Sequence, residues 1–174
     1  MTRFALLIAL GTVALLAGCD YSAPTDTLAV AEAPEALIGT GGLSATTLTE
    51  LQQVRQKTRG FHDINFAQDH GYVQVTDHVP NMGMHFVRFA WVDGTFDRQH
   101  PEALLYVDDG AGHLEFVAVE YIVPFEASAS APRGFTGTAD VWHADEELGS
   151  WTLHAWIWKG NPDGVFAPFN SLVP

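Results

Sequence analysis

Leu114-Glu115-Phe116-Val117-Ala118-Val119-Glu120-Tyr121-Ile122-Val123 decides the fold of this chain. A stretch rich in β-branched and aromatic residues, free of Gly and Pro, reads as a strand. From Phe116 onward both alternating faces are apolar, which predicts a strand covered on both sides. The turn cluster Asp108-Asp109-Gly110-Ala111-Gly112 separates it from the run Leu104–Val107, and so short a link predicts an antiparallel hairpin. Further β-type runs lie at Tyr72–Thr76, His85–Val92, Ala139–Trp142 and Trp151–Lys159, with turn signals at Asp93-Gly94 and Glu146-Glu147-Leu148-Gly149. Upstream, Leu48, Leu51, Val54, Thr58 and Phe61 recur at helical spacing. Thr47 and Glu50 have the spacing of a capping box, Gly60 is placed to kink the helix and Gly71 to stop it. One helical segment followed by many strands predicts an α+β fold, an N-terminal helix packed on a twisted or barrel-like antiparallel β-sheet.

Outward from this domain the composition changes. Tyr21 to Gly42 is rich in Ala, Thr and Pro and reads as a flexible tether. Before it, Met1-Thr2-Arg3 leads into an apolar run from Phe4 to Leu16, which reads as an export signal and is short for a spanning helix. The run ends Leu16-Ala17-Gly18-Cys19, which looks like the lipobox of bacterial lipoproteins. That resemblance implies cleavage before Cys19 and lipidation of its thiol. Residues 1–18 are then a lipoprotein signal peptide, 19–44 a tether with lipidated Cys19, and 45–174 a single globular domain. Asp20 resembles a retention signal for the inner membrane in hosts with two membranes. The formal net charge is −13, which opposes nucleic acid as a partner, because phosphate contacts need clustered Lys or Arg. Cys19 is the only cysteine, so no disulfide can staple the domain within the chain.

Glu120 is the anomaly of the decisive strand. An ionised carboxylate among apolar neighbours costs several kcal/mol unless a cation or strong donors meet it. Two readings stand: an ion pair with Arg88, or a metal ligand or acid/base group with a raised pKa. His154, in Trp151-Thr152-Leu153-His154-Ala155-Trp156, poses the same choice between a core histidine bonded to backbone and a ligand. His85 and Glu102 lie on two more predicted strands. Histidine and carboxylate side chains gathered from four neighbouring strands would make a mixed nitrogen and oxygen site for Zn, Mn or Fe at His85, Glu102, Glu120 and His154. His78, Met82, Met84 and His85 suggest copper instead, ranked below the other three metals. His62, His70, His113 and His143 read as surface residues, with His143 a reserve ligand. No motif for a hydrolase nucleophile, a nucleotide phosphate or a haem is present.

Gly71-Tyr72, Asn81-Met82-Gly83-x-His85, Pro101-Glu102-x-Leu104-x-Tyr106, Val119-Glu120-Tyr121, Leu153-His154-x-Trp156-x-Trp158, Asn161-Pro162-x-Gly164 and Phe166-Ala167-Pro168-Phe169-Asn170 form an ordered series. The series resembles a family of uncharacterised exported bacterial proteins, often lipoproteins, with one small domain. The resemblance implies a cell-envelope location and brings no reaction. It includes His85, Glu102, Glu120 and His154, and it places Met84 at a variable position, which lowers copper further. Three functions follow as expectations. The first is a lipid-anchored envelope protein, facing periplasm or exterior, that binds a divalent metal. The second is a non-catalytic module that holds a sugar or apolar ligand on Trp91, Trp142, Trp151, Trp156 and Trp158. The third is a structural or sensory subunit that forms a homo-oligomer through sheet faces or edges.

Overall fold

The computed structural model describes residues 40–174. The expected signal peptide, Cys19 and all but the end of the tether lie outside the described residues. Helix α1 spans Ala45–Thr58, a 3-10 turn Arg59–His62 and helix α2 Ile64–Asp69. Six strands follow: β1 Val73–Gln74, β2 Met84–Val87, β3 Ala103–Asp108, β4 Leu114–Pro124, β5 His143–Asp145 and β6 Ser150–Ala155. They form one antiparallel sheet in the order β1-β2-β3-β4-β6-β5. The fold is α+β as expected. The sheet stays open, with the two short strands β1 and β5 at its edges, where brevity limits edge-to-edge pairing.

The decisive stretch is the centre of this sheet. β4 pairs with β3 on one side and β6 on the other, and the Asp108–Gly112 turn joins β3 to β4. Asp108 and Asp109 accept hydrogen bonds from the backbone N–H groups of Gly110 and Ala111, both at 2.7 Å, which stabilises the turn.

Alternation sorts β4 into two faces. Val119, Tyr121 and Val123 join Phe86, Leu104, Tyr106 and Leu153 in the main core, where Leu51, Val54, Phe61 and Ala67 of the helical segment pack. Tyr106 Oη donates to Phe61 O at 2.6 Å and Arg55 Nη1 to Ile157 O at 2.7 Å, fixing the helices to that face. Ala118, Glu120 and Ile122 point the other way, among smaller apolar clusters with Leu105, Trp156, Val87 and Ala103.

Three local expectations are corrected. The cap of α1 is Ser44, whose Oγ accepts from Thr47 N at 3.1 Å. Thr47 Oγ1 donates to Thr136 O, and Glu50 accepts from Thr136 N at 2.8 Å and its hydroxyl at 2.9 Å. The presumed capping box is thus a latch between α1 and the loop before β5. The run His85–Val92 leaves the sheet at Val87 and turns into a short 3-10 segment, Phe89–Trp91. Ala139–Trp142 is not a strand, and pairing starts only at His143. Gly71 does end the helical segment, with φ +88°.

Candidate metal centre

The register of the sheet places three of the four expected ligands on the face away from the helices. Glu120 of β4 stands directly opposite His154 of β6. On its other side Glu120 pairs with Ala103 of β3, and Ala103 pairs with Val87 of β2, two residues beyond His85. Ala103 carries only a methyl group, so β3 leaves room for the longer side chains of β2 and β4 to meet above it. His85 Nε2 lies 3.7 Å from Glu120 Oε2, and His154 Nε2 lies 3.7 Å from Glu120 Oε1. All three donor atoms fall within 4.8 Å of one another, and all three residues are buried. A metal ion could be held there.

The distances argue against a hydrogen-bonded trio. At 3.7 Å neither imidazole makes a hydrogen bond to the carboxylate. His154 Nε2 is buried with no hydrogen-bond partner, a state that normally costs roughly 1–3 kcal/mol. Donor atoms about 2.0–2.1 Å from a tetrahedral zinc would stand roughly 3.3 Å apart, so each imidazole would need to approach its Glu120 oxygen by a few tenths of an ångström, and the three donor atoms, now within 4.8 Å of one another, would draw together around the ion. His85 is steadied from behind: its Nδ1 lies 3.2 Å from Thr76 Oγ1, which also accepts its backbone N–H at 2.9 Å. A proton on Nδ1 shared with Thr76 leaves Nε2 bare toward the centre.

Burial makes the trio electrically neutral when no cation is present. It raises the Glu120 carboxyl to about 8, with Asp145 adding to the rise. It lowers His85 to about 4. His154 falls to about 3, first by burial and then through His85 and His143. A divalent ion would reverse the carboxyl effect by favouring its charged form.

Glu102 does not join the group. It precedes β3 at a position of opposite parity to Ala103, and its Oε2 accepts the Ile122 N–H at 3.2 Å. Burial raises its carboxyl to about 8 as well. Of the four expected ligands the structure thus brings together His85, Glu120 and His154 and leaves Glu102 apart. The competing ion pair of Glu120 is also absent, because Arg88 alternates to the other face and stacks over the Trp91 ring at 3.9 Å. Met84 packs on the main core and Met82 on the cluster of the opposite face, while His78 Nε2 bonds Pro174 O at 2.9 Å. These residues do not converge as a joint copper site.

A cleft of about 570 Å³ opens over the trio. Its walls include Thr76, Thr152, His143 and Asp145, together with apolar residues from the chain after β6. That segment is pinned by Trp156 Nε1 donating to Ala167 O at 2.7 Å and by Asn161 Nδ2 donating to Phe169 O at 2.8 Å. Sequence reasoning missed the roles of Thr76, Asp145 and Phe169. Their only signals are the Thr at the end of a β-type run and the repeated aromatic of Phe166-Ala167-Pro168-Phe169. Trp156 and Trp142 are core residues, while Trp158 lies beneath Arg55, so the five tryptophans do not form an exposed platform. No protein family, curated protein or solved structure matches this chain.

Proposed function

We propose that this chain is an exported, lipid-anchored protein of the bacterial cell envelope that holds one divalent metal at His85, Glu120 and His154. Zinc is the first choice, since two imidazoles and one carboxylate with a remaining open position suit it. Manganese and iron accept the same donor set and rank next, and copper last. The observation that carries the metal reading is His154 Nε2, buried and unpartnered, 3.7 Å from a Glu120 oxygen. The cleft above the trio leaves space for a further ligand on the ion, so the metal serves as a Lewis acid or an anchor for a bound molecule. The lipid anchor is supported by the Leu16–Cys19 pattern, and Asp20 favours the inner membrane where the host has two.

Metal analysis of protein purified with a non-histidine tag tests the centre. About one equivalent of metal is expected in the wild type, and less than a tenth of that in His154→Ala and Glu120→Gln. Equal metal content in all three proteins would overturn the proposal.

A further inference from the structure

We propose that the cleft above the trio binds a small amphipathic cation, a protonated amine whose head lies on Asp145 and Glu147 and whose apolar body lies against Val75, Leu148 and Phe169. The charge of the lining points to the head. Asp145 and Glu147 line the cleft together with Glu120, and no Lys or Arg does. A divalent ion on ionised Glu120 leaves one positive charge at the trio, and Asp145 and Glu147 outweigh it. With the histidines counted neutral, the loaded cleft keeps one net negative charge. Without the ion, burial favours the protonated form of Glu120, and the two rim carboxylates leave the cleft more negative still. In either state a cation is drawn in and an anion is turned away. The inference therefore shares the cleft of the metal centre but does not depend on the ion.

Register sets the position of the head. β5 pairs with β6 through His143 opposite Thr152 and Asp145 opposite Ser150, so Asp145 stands on the sheet face that carries His154. Its Oδ1 accepts the Leu148 N–H at 2.8 Å. That bond holds the carboxylate beside the apolar rim and leaves Oδ2 for a charge-assisted bond from an ammonium group. Asp145 is half-buried and Glu147 exposed, so Asp145 gives the stronger contact. Val75, Leu148 and Phe169 are 45%, 54% and 53% exposed and come from three separate segments, yet all three line this one cleft. Large apolar side chains scattered singly over a surface need no explanation, but three converging on one concavity do. At the cleft lining His154, 4% exposed, presents a buried Nε2 with no hydrogen-bond partner, which marks a built cavity rather than a chance pair of acidic side chains. A volume of about 570 Å³ suits a small molecule. An ammonium group on the rim leaves the open position of the ion free.

Calorimetric titration of the protein at neutral pH with octylammonium, butylammonium and octanoate tests this, with and without added Zn²⁺. One octylammonium per chain is expected, bound at least about tenfold more tightly than octanoate. It should also bind about sixteenfold more tightly than butylammonium, the gain of burying half of its additional methylenes at about fourfold each. Asp145→Asn keeps an acceptor for the Leu148 N–H and should weaken octylammonium several-fold, Glu147→Gln somewhat less. Phe169→Ser should lower the preference for octylammonium over butylammonium several-fold. Zn²⁺ should weaken octylammonium binding a few-fold without abolishing it, since the ion removes negative charge from the cleft. Octanoate binding as tightly as octylammonium would overturn the head, as would a double variant, Asp145→Asn with Glu147→Gln, that binds octylammonium like the wild type. Equal affinity for the two amines would overturn the body. Absence of Zn²⁺ uptake with octylammonium binding intact would sink the metal centre and leave this inference standing, and normal Zn²⁺ uptake without octylammonium binding would do the reverse.

Discussion

Glu120 and His154 hold opposite protons for the same reason, and the consequence can be measured. The Glu120 carboxyl moves from 4.5 to about 8 on burial, as does that of Glu102. Their neutral forms contribute stability that is complete below pH 4.5 and is lost as the pH rises through 8. His85 and His154 move from 6.5 down to about 4 and about 3, so their contribution is complete above pH 6.5 and is lost as the pH falls through those values. Between pH 4.5 and 6.5 the two pairs oppose each other, and from 6.5 to 8 only the carboxyls act. In the presence of a chelator the melting temperature should therefore be lower at pH 8 than at pH 6.5, and Glu120→Gln should remove about half of the drop. A melting temperature independent of pH over this window in the wild type would contradict the burial argument. Metal requires the ionised carboxylate, so affinity measured by competition with a chromophoric chelator should rise about tenfold per pH unit as pH 8 is approached from below. Saturating metal should also raise the melting temperature of the wild type and leave His154→Ala and Glu120→Gln unmoved.

At the scale of elements, the centre depends on how β2 enters the sheet. Gly83, just before it, has φ +93°, and a Cβ there would collide with the Tyr106 carbonyl of β3. The turn before it is held by Val79 N–H donating to Gly83 O at 2.9 Å and by Asn170 N–H donating to Asn81 O at 2.9 Å. Gly83→Ala should cost roughly 2 kcal/mol or more in chemical denaturation, from strain and close contact together. It should also weaken metal binding by shifting His85. Retention of full stability would show that the turn is not the constraint it is argued to be. Ala103 plays the complementary part on β3. A larger side chain there would fill the space between His85 and Glu120, so Ala103→Leu should abolish metal uptake at a stability cost of about 1–3 kcal/mol.

At the scale of the whole molecule, the domain hangs its helices on one sheet face and its candidate centre on the other, beneath a chain segment that returns after β6. No helix among the described residues is long and apolar enough to cross a membrane. The proposed attachment rests on Cys19. Mass spectrometry of the mature protein should show a start at Cys19 with added acyl mass, and Cys19→Ala should leave an unacylated protein with its signal uncleaved. A mature start elsewhere without acyl mass would remove the anchor from the proposal.

The sequence by itself determined the α+β class, the β3–β4 hairpin and the burial of Glu120 and His154, because alternation and turn chemistry are local and strand periodicity is written in the order of residues. It also marked His85, although not the partner that steadies it. What tertiary structure decided was parity and distance. Glu102 and Arg88 sit in strand-like surroundings as plausible as those of His85, yet alternation through a register set by the pairing of β2, β3 and β4 turns them to the other face. The same holds for Thr47 and Glu50, whose capping pattern gives way to a contact with Thr136, 86 residues from Glu50. Local spacing cannot encode which face a distant strand presents, since a shift of one residue in pairing exchanges every side chain between the two.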